Sequence, residues 1–143
     1  IRDIQKNKWG KLKSDNALIE LFPLPSPNNT DWFYDEWTNI KYLNDRDSYY
    51  SYISEIRLNH IKSRINKYKP KVVLLYANSM LNYWSILVGD DFEKYSTRIK
   101  IKKNYVRILK KNHTCFVQTP QPAGVYSNDF WECVGKEIRK ICP

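Results

Sequence analysis

Glycine is scarce in this chain, with four residues in 143. There is no Gly-x-Gly-x-x-Gly, no Gly-x-x-x-x-Gly-Lys and no Gly-x-Ser-x-Gly. That excludes the dinucleotide fingerprint, the P-loop and the hydrolase nucleophile elbow, each of which needs glycine where backbone must approach ligand. Histidine is scarcer still, at two residues, His60 and His113. The three cysteines, Cys115, Cys133 and Cys142, form no Cys-x-x-Cys pair, so zinc-ligand spacing is missing and no metal or cofactor is implied. Their odd number reads as free thiols in a reducing compartment, hence a cytoplasmic protein. No run of 18 apolar residues exists, so no membrane span is expected. The opening Ile1-Arg-Asp-Ile lacks a signal-peptide pattern and does not start with Met, which reads as a piece of a longer chain.

Positive charge and aromatic rings are abundant. Twenty-four Lys and Arg against 15 Asp and Glu give a net charge of +9. Such a balance favours a polyanionic partner, DNA above all, although AT-biased coding also enriches Lys, Asn, Ile and Tyr. The length suits a single domain over residues 1–143. Trp32, Phe33, Tyr34 and Trp37 cluster after a proline-rich loop at residues 23–30; they read as packing, or as a base-stacking platform if exposed beside positive charge.

The chain orders its elements in alternation. A polar lead-in precedes a short strand expected over Ala17 to Phe22. Apolar residues Tyr49, Ile53, Ile56, Ile61, Ile65 and Tyr68 predict a long helix, with Asp47 or Ser48 as its cap and His60 packed near the stripe. Pro70 ends it, and Val72 to Ala77 reads as a buried strand. Met80, Leu81, Trp84 and Leu87 mark a short helix closed by Gly89. Asp90-Asp91 and the Asp45/Asp47 pair are spaced as caps and turns, which explains them more simply than magnesium binding. In the next run, Ile99 and Ile101 alternate with Arg98, Lys100 and Lys102, a strand with one basic face. Lys103 extends it, and a second strand follows over Tyr105 to Leu109. Arg98, Lys100, Lys102 and Lys103 are therefore the candidate DNA-backbone contacts. A strand at Thr114 to Val117 runs into Thr119-Pro-Gln-Pro122, read as a binding loop or a stiff turn. A closing helix carries Phe130, Val134, Ile138 and Ile141, with Asp129 and Glu132 at capping-box spacing. Such alternation indicates an α/β fold, whose ligands lie at loops leaving the strand ends.

Glu20-Leu-Phe-Pro-Leu-Pro-Ser-Pro27, a Tyr-rich helix, Lys69-Pro-Lys-Val-Val-Leu-Leu-Tyr76, a strand into Thr119-Pro-Gln-Pro122 and a Trp-bearing helix follow one another. This order resembles the C-terminal part of the uracil-DNA glycosylase superfamily over residues 16 to 141. The resemblance implies a three-layer α/β/α sandwich with a mainly parallel central sheet, incomplete at its N-terminus, and excision of flipped bases during DNA repair. It places Gln121, with Ala123 and Gly124 behind it, at the family's His-Pro loop, as the catalytic and base-binding residue. Glutamine there donates a neutral hydrogen bond where the family has an imidazole. It places Glu20 where a strand presents the base-reading residue. A carboxylate accepts from amino groups and cannot donate to a carbonyl, so a uracil-specific pocket is not expected. The family's water-activating Gly-x-Asp/Asn-Pro loop is absent from these residues. The other reading is a non-enzymatic module on the same fold that binds protein or single-stranded nucleic acid.

Overall fold

The computed structural model describes residues 14–26, 28, 30–89, 91–122 and 127–143; the polar lead-in before Ser14, Asp90, Ala123 and Gly124 lie outside them. Two compact units divide the chain, Ile1–Arg57 and Leu58–Pro143.

In the first unit a short helix α1 (Tyr34–Trp37) and a single 3-10 turn (Lys41–Leu43) precede the long helix α2 (Arg46–Tyr68), whose first twelve residues belong here. The strand expected over Ala17 to Phe22 is absent; these residues are irregular. Strands exist by pairing, and none of the described strands pairs with this segment; Leu18 and Ile19 are exposed while Leu21 is buried and Phe22 stacks on Tyr50. Arg46 ties together Ser26, Asn28 and Asp31 of the proline-rich segment. Its Nη2 donates to Ser26 Oγ (2.7 Å) and to the carbonyls of Asn28 (2.8 Å) and Asp31 (2.7 Å). The same guanidinium lies 5.8 Å from the Trp32 ring centroid. Asp45 caps α2, in place of Asp47 or Ser48, by accepting from the Ser48 backbone N–H (2.8 Å) and hydroxyl (2.7 Å). Those bonds, the hydroxyl's first, hold the Asp45 carboxyl below its ordinary value of 3.8.

Along α2 there is no single apolar stripe. At about 100° per residue, Tyr49 and Ile53 share one side, while Leu58, Ile61 and Ile65 fall on another. Tyr49, Leu58 and Ile61 are buried, whereas Ile56, His60 and Tyr68 are exposed. Tyr49 packs with Phe22 and Trp32 of the first unit.

The second unit is built on a four-stranded sheet. Lys69 leaves α2 with φ of +45°, and Pro70 prevents continuation. Then come β1 (Val72–Tyr76), a 3-10 turn (Asn78–Met80) running into α3 (Leu81–Val88), α4 (Asp91–Tyr95), β2 (Thr97–Ile101), β3 (Asn104–Lys111), β4 (Thr114–Thr119) and α5 (Asn128–Ile141). Strand order is β1-β4-β3-β2. Only β1–β4 is parallel; β2–β3 and β3–β4 are antiparallel. The sheet is therefore mixed, not mainly parallel as expected. Ile101 pairs Asn104 and Lys111 pairs Thr114, leaving two-residue loops, and loops that short join only antiparallel neighbours.

Phe130 and Val134 of α5 pack on Ile101, Val106, Ile108, Cys115 and Val117. Asp129 does not form the expected capping box but pairs with Lys102. Cys115 and Cys142 are joined by a disulfide across a Cα separation of 6.1 Å, within the roughly 4.4–6.8 Å that bridges span. The expectation of three free thiols thus fails for two of them. Sequence spacing could not show that the end of α5 returns to β4. Cys133 is free and half-buried. Among the described residues no helix is long and apolar enough to cross a membrane.

Candidate nucleic-acid interface

Register determines what meets at each end of the sheet. Tyr76 lies beside Thr119, so parallel β1 and β4 finish together. Arg107 lies opposite Gln118, so β4 finishes where β3 begins. Three connections therefore share one end: the exit of β1 at Ala77-Asn78, the Thr119–Pro122 loop, and the β2–β3 turn at Lys102-Lys103. The start of α5 joins them, because Lys102 Nζ donates to Ser127 Oγ (2.9 Å) and pairs with Asp129 (3.3 Å).

The β1 exit is tightly arranged. Ala77 adopts φ of +73°, a conformation that costs a residue with a Cβ and that clusters at functional sites. Trp84 Nε1 donates to the carbonyls of Tyr76 (3.1 Å) and Ala77 (3.3 Å), holding that bend. Gln118, buried inside an apolar strand, donates from Nε2 to Asn78 Oδ1 (3.0 Å) and ties β4 to the β1 exit. Thr119 is fully buried, and its Oγ1 has no hydrogen-bond partner among the described residues. An orphaned hydroxyl of this kind costs about 1–3 kcal/mol. Burial also pushes the Tyr76 phenol above its ordinary value of 10.0.

Gln121 and Pro122 are exposed beyond the buried Thr119-Pro120 step. Gln121 therefore presents an amide at the sheet end where α/β folds bind ligands. Arg98 and Lys100 are exposed on β2 while Ile101 is buried, as the alternation requires. Arg98 lies opposite Arg107 and stacks on Tyr105, guanidinium carbon 3.9 Å from the ring centroid. Arg107 is largely covered and sits 3.9 Å from Glu93. Lys103 is exposed in the turn, and Lys102 there adopts φ of +54°. Four of the five candidate DNA-contact and loop residues, Arg98, Lys100, Lys103 and Gln121, are thus open to solvent, and Lys102 is engaged in an exposed ion pair.

Glu20 belongs to the first unit, on irregular chain, with an exposed side chain. Its carbonyl accepts the Arg57 guanidinium. In the aromatic cluster of that unit, Trp32 donates to the Leu43 carbonyl (2.7 Å) and Tyr34 to that of Pro25 (2.7 Å), which are packing roles. Trp37 alone is widely open, at 74% exposure.

The sequence reading places Thr119 at the start of the binding loop but does not pick out Asn78 or Gln118. The one signal for Gln118 is a polar residue inside an apolar strand, and Asn78, in the 3-10 turn after β1, has none. Among the described residues no three His, Cys, Asp or Glu side chains gather as a metal would require. No protein-family model matches this chain, and no curated protein or solved structure does either.

Proposed function

We propose that the chain is a DNA-binding domain of uracil-DNA-glycosylase-like type that receives a flipped base at the Gln121 loop. One observation carries this: the register sets the exits of β1 and β4 and the basic β2–β3 turn at a single end of the sheet. Arg98, Lys100 and Lys103 contact phosphates; Lys102 exchanges Asp129 for one, since an exposed pair holds it by no more than about 1 kcal/mol. The Gln121 amide donates to a base carbonyl or accepts from a base amino group. Glu20 has no role assigned to it. Gln121 supplies a hydrogen bond rather than a general base, so recognition of the flipped base is the activity proposed, with excision dependent on a further group that positions water.

A three-layer α/β/α arrangement of the second unit belongs to the same proposal. Its support is β4, buried along its whole length although α5 covers only one face of the sheet. A DNA role further places the chain inside the cell, where thiols are kept reduced. On that reading Cys115 and Cys142 are reducible, and alkylation of thiols directly in cell extract is the check.

The test uses labelled duplexes carrying uracil, hypoxanthine or a G·T mismatch, compared with an unmodified duplex. Tighter binding to one modified duplex, lost in Gln121→Ala while affinity for unmodified DNA persists, is the expected result. Equal binding to all four, unaffected by Gln121→Ala, contradicts base recognition. Strand breaks after alkali would show excision in addition. The exposed Trp37 favours a second reading, stacking on single-stranded nucleic acid, for which Trp37→Ala weakening single-strand but not duplex binding is the signature.

A further inference from the structure

At the opposite end of the sheet, where β1 and β4 begin, lies a cavity of about 530 Å³. Its size falls in the range of small-molecule pockets, roughly 300–1,000 Å³. Lys62, Lys69, Lys111 and His113 line it, and none of the described lining residues is acidic. The remaining wall is mixed, with Ile65, Leu87, Val88 and Phe116 beside Asn66, Asn112 and Thr114. Cations together with a partly apolar lining suit a ligand with an anionic end and a ring-like body.

Backbone conformation shapes the lining and sets one of its cations. Three lining residues, Lys69 (φ +45°), Gly89 (φ +109°) and Asn112 (φ +55°), hold left-handed conformations. For a lysine this conformation is costly, roughly 1 kcal/mol or more, yet it places Lys69 at the lip of the cavity. Lys111 Nζ donates to the Val88 carbonyl (2.7 Å), which fixes its ammonium against the α3 terminus. A Cβ at position 89 would stand 2.9 Å from that Nζ, so glycine there leaves room for the lysine head. An ammonium is a compact, strongly hydrated charge suited to phosphate oxygens.

We propose that this cavity binds a small phosphate ester with a ring-bearing body, of the nucleoside monophosphate class. The phosphate meets Lys62, Lys69 and Lys111, and the ring lies on the apolar part of the lining. This site is independent of the loop at Gln121, which lies at the other end of the strands.

AMP is the probe, with inorganic phosphate and adenosine as its separate halves. Calorimetry should show saturable AMP binding, weaker with either half alone. The variant Lys62→Glu with Lys69→Asn removes both exposed charges, and asparagine tolerates the left-handed backbone. It should lose AMP affinity by at least about tenfold, with melting temperature preserved. On the unaltered protein, AMP-dependent amide shifts should centre on residues 62–69, 87–89 and 111–116. No AMP binding, or binding that the variant retains, overturns the proposal. Displacement of AMP by duplex DNA would assign the cavity to the nucleic-acid backbone and overturn the small-ligand reading.

Discussion

Arg46 shows how much of the first unit depends on one side chain. It is half-buried, bonded to Ser26 Oγ and two carbonyls, and set over Trp32. Arg46→Ala should destabilise this unit by about 1.5–3 kcal/mol, the range for hydrogen bonds to a charged group. Tryptophan fluorescence during urea unfolding checks it, and an unchanged midpoint would contradict it. At position 45 the dependence is on pH. The Asp45 carboxyl is held below its ordinary value, so its capping contribution is complete above about pH 3.8 and is lost as pH falls through its lower, folded-state value. Circular dichroism should show helix loss on acidification that is smaller in Asp45→Ala, which has no carboxylate to protonate. Sequence reading reached the neighbourhood of this cap but chose Asp47 or Ser48, because several residues there are good caps and only geometry selects one. Arg46 gave no such signal, since its partners lie 15 to 20 residues upstream.

At the scale of elements, patterns that depend on neighbours in sequence were readable, and those that depend on distant partners were not. The alternation of Ile99 and Ile101 with Arg98 and Lys100 identified β2 and its basic face. Val72 to Tyr76 was equally plain as a strand but is not buried as expected, because β1 lies at the edge of the sheet with Val72 and Leu74 exposed and only Leu75 buried. The α5 residues Phe130 and Val134 are buried. Leu18 and Ile19 have the same residue types as a strand, yet find no cover, and no local rule reveals that. The parallel expectation failed although two-residue loops at 102–103 and 112–113 were present in the sequence to exclude it. Two measurements belong here. Phe130, 1% exposed, anchors α5 to the sheet, and Phe130→Ala should cost about 3–5 kcal/mol in denaturant unfolding. A loss below about 1 kcal/mol would mean that α5 is not seated there. Tyr76, at the end of β1, should ionise above its ordinary value of 10.0, because burial disfavours the phenolate. Since the unfolded chain then ionises first, stability that is full below pH 10 should fall as pH rises through the folded-state value. Absorbance titration against Tyr76→Phe isolates this phenol.

The whole molecule is one chain with two units, and its long-range restraint is the Cys115–Cys142 bridge in the second. It closes a loop of sequence separation 27, which by chain entropy contributes about 3–4 kcal/mol. Reduction should lower the melting temperature of that unit, and Cys133→Ser should leave the effect unchanged. No effect of reductant would mean the bridge is not formed in solution. At the same scale, charge decides the functional reading. A net charge of +9 attracts nucleic acid wherever it lies, so affinity alone says little; how affinity changes with salt, and which residues set that change, says more. The most direct measurement is the dissociation constant for a labelled duplex across a salt series, for the unaltered chain and for Arg98→Ala with Lys100→Ala. The account predicts a linear loss of log affinity with log salt, with a slope that falls by about one for each phosphate contact removed, roughly two in the double variant. Binding independent of salt, or a slope that the double variant leaves unchanged, would contradict a DNA interface on the basic face of β2.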